Sequence, residues 1–401
     1  MNKQPFWRIT ALTAILVLAS HVSAQQLPGP IQITKGGTYS GTWESTDPKV
    51  PAVSIQTDQP VTIRDSVIKS RGPLITVRWV KAGTNVTIEN VTGTALDPGI
   101  AGMERGIFLL ATNVSSLVVR HCSMYGVNTG ILVVGSTPRT LKILNNLGRD
   151  LEDRASDGKG GLADARPRLG HFIILNNVTA SNGADIAWNE DIQTIGTTSN
   201  EDAINIYESQ GSKYHPINVH DNYIEGSSAP VAPGKHYTGT ALITDGSSDP
   251  HAKQSAYVRF DDNQVVATAG SGIGIAFGHD ISAANNRIVS CGVTVSGLHY
   301  GWGASAIVIW NYYKDPEFRH NTITGTTGGM VGQGPHDKLK ANDVWQPESK
   351  RDADNDNRIV SNTFSDPCLM DGKLNLDAEA RERGYWASKL RAAHQSVGDQ
   401  H

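Results

Sequence analysis

Asp245 stands in Thr244-Asp245-Gly246 at the end of a short apolar run. Asp202 and Glu208 bracket a similar run upstream, and Gly278-His279-Asp280 follows another downstream. Carboxylates recurring beside a histidine are equipment for general acid–base chemistry. One group protonates a leaving oxygen while the other activates water or attacks directly. Asn205, Tyr207, His236, Tyr237, Tyr300, Trp302, Trp310 and Asn311 fall around the same runs. Rings stack on the apolar C–H faces of sugars, and amides and phenols bind their hydroxyls. The residue set points to a glycan ligand and to glycoside hydrolysis. Asp245 would act as acid or base, Asp202, Glu208 or Asp280 as its partner, and His279 would orient the pair. Asp before Gly is also ordinary turn chemistry, so the companions of Asp245 carry the expectation.

These residues share a face only if the runs that bear them stack. Six runs align by eye: Gly106-Ile-Phe-Leu-Leu, Gly130-Ile-Leu-Val-Val, Ala203-Ile-Asn-Ile-Tyr, Ala241-Leu-Ile-Thr-Asp, Gly272-Ile-Gly-Ile-Ala and Ala306-Ile-Val-Ile-Trp. A tiny residue opens each, and the second and fourth positions are aliphatic apart from Thr244, the alternation of a half-buried strand. A second run type carries Asn, any residue, then a hydrophobe, at Asn145, Asn176, Asn222, Asn263, Asn286, Asn321 and Asn362. Asn tolerates the left-handed turn conformation, and stacked Asn amides can bond one another from coil to coil.

Strands recurring without intervening helical periods, and without tight Asn-Gly hairpins, exclude βαβ and meander architectures. The expected fold is all-β, a single-stranded right-handed parallel β-helix over residues 25–373, with a C-terminal helix and tail at 374–401. In it, Phe108, Leu132, Asn205, Ile243, Gly274 and Val308 form one outward column. Leu110, Val134, Tyr207, Asp245, Ala276 and Trp310 form another. A one-residue slip would turn Asp245 inward. Residues 148–169 read as a protruding charged loop, and 182–200 and 327–357 as further insertions. The helix should use Leu376, Tyr385, Trp386 and Leu390 to cover the last coil.

Over roughly residues 50–365 the repeat resembles the pectate-lyase-like parallel β-helix superfamily. The order Asp202, Asp245, Gly278-His279 loosely resembles β-helix glycosidases of the polygalacturonase type. Those place acids on successive coils and a Gly-His pair on the next. The chain lacks their Asn-Thr-Asp, Asp-Asp and Arg-Ile-Lys elements, so only an acid pair with a neighbouring His carries over. The rival chemistry is β-elimination or C5-epimerisation of a uronic-acid polymer, for which Lys235, His236, Tyr237, Lys213 and Arg105 would serve. A non-catalytic glycan-binding protein is the second alternative.

Residues 1–24 have a basic start, an apolar run and a Val22-Ser23-Ala24 exit, the form of a secretory signal peptide cleaved after Ala24. The protein is expected in the periplasm or medium, without a membrane span. The leader holds two of the 35 basic residues and none of the 39 acidic ones, so its removal moves the formal charge from −4 to −6. That balance argues against nucleic acid as a partner, and a monomer is expected. No nucleotide-binding turn is present, and no cofactor is expected; Asp352, Asp354 and Asp356 are the only Ca²⁺ candidates. Cys122, Cys291 and Cys368 read as three buried thiols.

Overall fold

A short strand with one apolar edge needs copies of itself above and below to bury that edge. The computed structural model describes residues 28–78, 83–163, 170–227, 239–300, 305–333, 339–347 and 355–400, and the strands there stack into three parallel ladders. The first comprises Ile31–Ile33, Val53–Ile55, Ile75–Val77, Leu109–Thr112, Ile131–Val134, His171–Asn176, Asp202–Tyr207, Thr240–Asp245, Ile273–Ile275, Ile307–Ile309 and Val344–Trp345. The second runs from Gly37–Tyr39 to Arg358–Val360 and the third from Thr42–Ser45 to Thr363–Phe364. Val61–Ser70 and Thr84–Ala95 pass through both of these. The chain is a parallel β-helix, and its core is a set of aliphatic stacks such as Ile173, Ile204, Leu242, Ile273 and Ile307, all fully buried.

The corner between the second and third ladders fixes the stacking. Left-handed residues sit there at Asn145, Trp188, Asp221, Asp262 and Asn285, with φ of 59, 59, 51, 57 and 56°. Each precedes a buried asparagine: Asn146, Asn189, Asn222, Asn263 and Asn286. Their amides form one chain, Nδ2 of each donating to Oδ1 of the next at 2.9, 2.9, 3.0 and 3.1 Å. The expected asparagine ladder exists, one residue away from Asn145. The turn geometry belongs to the residue before each ladder amide. Asn176 lies on a first-ladder strand, and Asn321 accepts at a different corner.

Pairing shifts the earliest coil by two residues from the expected alignment. Leu110 lies opposite Leu132, and Phe108 lies opposite Gly130 in the tiny-residue column. Phe172 occupies that same column, so its coil, His171–Asn176, lacks the tiny opener that marked the others. Neighbouring glycines make room for these rings. A Cβ on Gly93 would lie 2.4 Å from Phe108, and one on Gly148 2.6 Å from Phe172.

Parts of the three expected insertions belong to the coils themselves. Leu147–Arg149, Ala184–Ala187, Glu190–Ile192 and Val344–Trp345 are ladder strands. Residues 151–156 do not protrude: Leu151, Glu152, Asp153, Ala155 and Ser156 are buried, and Asp153 N–H donates to Ser199 O at 2.9 Å. The reading of three thiols is corrected for two of them. Cys291 and Cys368 form a disulfide with Cα atoms 5.2 Å apart, and Cys122 is free and buried. Stacking brings Cys291, at the end of a third-ladder strand, beside the segment that follows that ladder's last strand, a neighbourhood that scattered sequence positions do not reveal.

The expected helix is present at Asp377–Ala393, and its cover extends well beyond the last coil. It runs along the third ladder toward earlier coils. Glu379 accepts from Cys291 N–H at 2.6 Å, buried Glu382 takes Arg287 at 2.6 and 2.8 Å, and Trp386 Nε1–H donates to Glu190 at 2.6 Å. The tail continues to Gly398, whose N–H donates to Asn145 O at 2.9 Å. Trp386 is buried against Trp188 and Tyr223, whereas Tyr385 points to solvent.

His220 ties coils to this strap. Its Nε2 lies 2.9 Å from Asp185 and its Nδ1 2.7 Å from Asp221, which also holds Lys389 of the helix at 2.7 Å. The bonds to Asp185 and Asp221 raise its pKa from 6.5 to about 9. The folded state therefore keeps a proton that the unfolded chain has released, so the contribution is full below 6.5 and is lost as pH rises through about 9. Chemical denaturation at several pH values should show the wild type losing stability relative to His220→Gln across that window. A constant difference between the two would contradict the charged clamp.

Candidate functional site

The middle of the first ladder gathers ionisable groups that the core has no use for. Strand pairing places His171, Asp202 and Thr240 in one row, Ile174, Asn205 and Ile243 in the next but two, and Asn176, Tyr207 and Asp245 in the last. Ile204 and Ile206 turn into the core, while Asn205 and Tyr207 turn outward, as the alternation requires. Asn205 joins the rows: its Nδ2 donates to Asp202 Oδ2 at 3.1 Å and to Asp245 Oδ2 at 3.5 Å.

Asp245 is partly exposed and Asp202 wholly buried. Asp245 Oδ1 accepts from the Tyr313 hydroxyl at 2.6 Å and from Gly246 N–H at 2.9 Å. Beyond Tyr207 in the chain, Glu208 sits at φ 47° and accepts from the Ser247 hydroxyl at 2.7 Å. His171 Nδ1 faces the main-chain oxygen of Asp202 at 3.2 Å, and its Nε2 lies 3.5 Å from Glu201. Asp153 is buried near this inner end, its Oδ2 accepting from Gly170 N–H at 3.3 Å.

Burial and mutual repulsion dominate the electrostatics. Burial, then the charges of Asp245 and Asp153, pushes Glu201 up to about 8. Burial, then Glu201 and Asp245, holds Asp202 well above the carboxylate range. Burial also raises Asp245, against the bonds from Tyr313, Gly246 and Asn205, and lowers His171 to about 4. Among the described residues no lysine or arginine forms an ion pair with Glu201, Asp202 or Asp245. A structural carboxylate in a core is normally paired. These three crowd one another instead.

An aromatic platform adjoins Asp245. Tyr313 meets Phe277 edge-on at 5.8 Å and Tyr312 at 4.9 Å, and Trp310 packs on Tyr312 and on Trp345, each at 4.7 Å. Tyr312 and Trp345 are 54 and 41 % exposed, a large apolar area for an unpartnered surface. The face thus carries acids at one end and open rings at the other.

The structure brings together Asp202, Asn205, Tyr207, Glu208 and Asp245, with Trp310 at the platform. Other expected members fall elsewhere. His279 and Asp280 begin a second-ladder strand, pair with each other at 2.7 Å, and are not placed beside Asp245. They were expected near Asp245 because they follow the Gly272–Ala276 run, but Gly278, at φ 98°, turns the corner before them. Tyr300 is buried and bonds Glu379 beneath the C-terminal helix. Asn311 closes a turn, with Oδ1 accepting from Asp315 N–H at 2.7 Å and Nδ2 donating to Asp315 O at 2.9 Å. Lys213 and Arg105 lie away from the acids, Lys213 in a second-ladder groove and Arg105 beside Gly126. Lys235, His236, Tyr237, Trp302, Asp352 and Asp354 lie outside the described residues, and Asp356 pairs with Arg358. The sequence reading missed His171, Tyr313 and Trp345. A tolerance for Phe in the tiny-residue column would have exposed His171.

Crowded acids kept at the expense of stability are expected of a working site. Asp202→Asn retains the acceptor that Asn205 uses and removes one of the repelling charges. In the presence of EDTA it should melt at or above the wild-type temperature at pH 8, by up to ~1–2 kcal/mol of added stability. A loss of ~3 kcal/mol or more would make Asp202 a structural anchor instead.

No known family model matches this chain, and neither does any curated protein or solved structure.

Proposed function

We propose that the protein is an exported glycan-degrading enzyme of the pectate-lyase-like β-helix type, most simply a glycoside hydrolase that takes a polysaccharide along its first face. One observation carries this reading: Asp245, an acid that solvent can reach, adjoins both a buried acid, Asp202, and an open aromatic platform. Either feature alone has a structural use. Together they supply the two things a glycosidase needs, proton transfer and a surface for sugar rings.

In this reading Asp245 donates the proton to the leaving glycosidic oxygen. Its raised affinity for a proton, caused first by burial, suits that role. Tyr313 and Gly246 hold the carboxyl in place. Glu208, whose charge also raises Asp245, serves as the second carboxylate, positioned by Ser247. Asp202 is fully buried and acts through Asn205 as a positioning residue. Tyr312, Trp310 and Trp345 stack the flanking sugars. Hydrolysis is favoured over elimination because the groups gathered around Asp245 are carboxyl groups, the acid and the base or nucleophile that glycoside hydrolysis uses. Residues 1–24 supply the export signal.

The test is to incubate the protein with a panel of neutral and uronate polysaccharides, reading both new reducing ends and the ultraviolet absorbance of unsaturated products. Reducing ends without absorbance are expected, with Asp245→Asn slower by at least ~100-fold. Absorbance would replace the hydrolase with a lyase. Binding without cleavage would make the face a glycan receptor.

A further inference from the structure

His171, Glu201 and Asp202 each offer one ligand atom, and these atoms all lie within 4.8 Å of one another. His171 is 6 % exposed and Asp202 0 %. We propose that His171 Nε2 and the carboxylates of Glu201 and Asp202 bind one divalent transition-metal ion of the zinc class, in a buried site beneath the first face. The proposal does not rest on the hydrolase reading.

Three observations point to an ion. First, Asp202 Oδ1 has no hydrogen-bond partner although its residue is shut from solvent. A bare buried carboxylate oxygen is costly, and bonding to a cation removes that cost. Second, the main-chain oxygen of Asp202 faces His171 Nδ1 at 3.2 Å. Nδ1 therefore carries the proton, and the Nε2 lone pair is left toward Glu201, as in metal sites where a second bond fixes the imidazole tautomer. Third, Nε2 and Glu201 Oε2 are 3.5 Å apart. That is beyond the roughly 2.5–3.2 Å of a hydrogen bond. Two ligands with bonds of roughly 2.0–2.2 Å to one tetrahedral ion lie roughly 3.3–3.6 Å apart. The separation fits a shared ion better than a shared proton.

The ligand set also selects the ion. One imidazole and two carboxylates suit zinc and its neighbours, whereas Ca²⁺ takes six to eight oxygens and little nitrogen. The cation would neutralise the repulsion among Glu201, Asp202 and Asp245, which no described lysine or arginine does. The other cluster of ligand-type side chains among the described residues, Cys291, Cys368 and Glu379, is closed by its disulfide.

Tag-free protein stripped with EDTA should be re-exposed to Zn²⁺, Mn²⁺ or Ca²⁺ alone. Bound metal is then counted by elemental analysis after gel filtration, and melting temperature is read alongside. One Zn²⁺ per chain is expected, with a raised melting temperature and a weaker response to Ca²⁺. His171→Asn and Glu201→Gln should lose the ion and the shift while keeping the wild-type far-ultraviolet circular dichroism. Should one variant fail to fold, the other decides. Absence of retained metal in the wild type, or retention that survives in a folded variant, would overturn the proposal, and so would an equal response to Ca²⁺.

Discussion

Parallel coils about 4.8 Å apart force each side chain against its equivalent on the next turn, and every feature of this molecule answers that constraint. Aliphatic stacks satisfy it by contact. Asparagine satisfies it with an amide that donates upward and accepts from below, which is why Asn146, Asn189, Asn222, Asn263 and Asn286 can be buried in one file. Phenylalanine satisfies it only where a glycine yields, as Gly148 does for Phe172. Carboxylates cannot satisfy it at all without a cation or a proton. No two of the site's acids therefore share a row: Asp202 stacks between His171 and Thr240, and Asp245 beside Tyr207. They converge across rows, through Asn205.

Seen this way, the site is a controlled breach of the stacking rule. The ladder remains intact beside it through Ile204, Ile206 and Leu242, all fully buried. The strap on the third ladder has the opposite character. There Glu382 meets Arg287, Glu225 meets Arg383 and Asp221 meets Lys389, while Glu379 and Glu190 are held by hydrogen bonds from Cys291 N–H and Trp386. Three strap acids thus have ion-pair partners among the described residues, whereas Glu201, Asp202 and Asp245 on the first face have no lysine or arginine partner there.

Much of this was legible in the residues. Period-two alternation gave the first ladder and put Asp245 outward beside Tyr207, because core aliphatics fix the phase of a strand. The Asn file was visible as a recurrent residue, although the position within the turn was off by one, since Asn145 and Asn146 are both asparagine and either can take the turn. His171 was hidden because Phe172 broke the tiny-residue rule. His279 was placed on the wrong face because it follows a first-ladder run closely in sequence, whereas Gly278 turns the chain into the second ladder before it. The disulfide and the acid cluster depend on contacts between coils many residues apart, which composition and spacing do not encode.

The central claim is that a glycan lies on the first face from Asp245 to Trp345, and side-chain oxidation footprinting tests it most directly. The protein would be oxidised with and without a partial hydrolysate of mixed plant and algal polysaccharides, and modified residues located by mass spectrometry. Tyr312 and Trp345 are 54 and 41 % exposed, and Tyr385 and Tyr214, on the strap and by the second-ladder groove, are 55 and 82 % exposed. The account predicts protection of Tyr312 and Trp345 with Tyr385 and Tyr214 unchanged. Protection of Tyr214 or Tyr385 instead, or of none of the four, would contradict it.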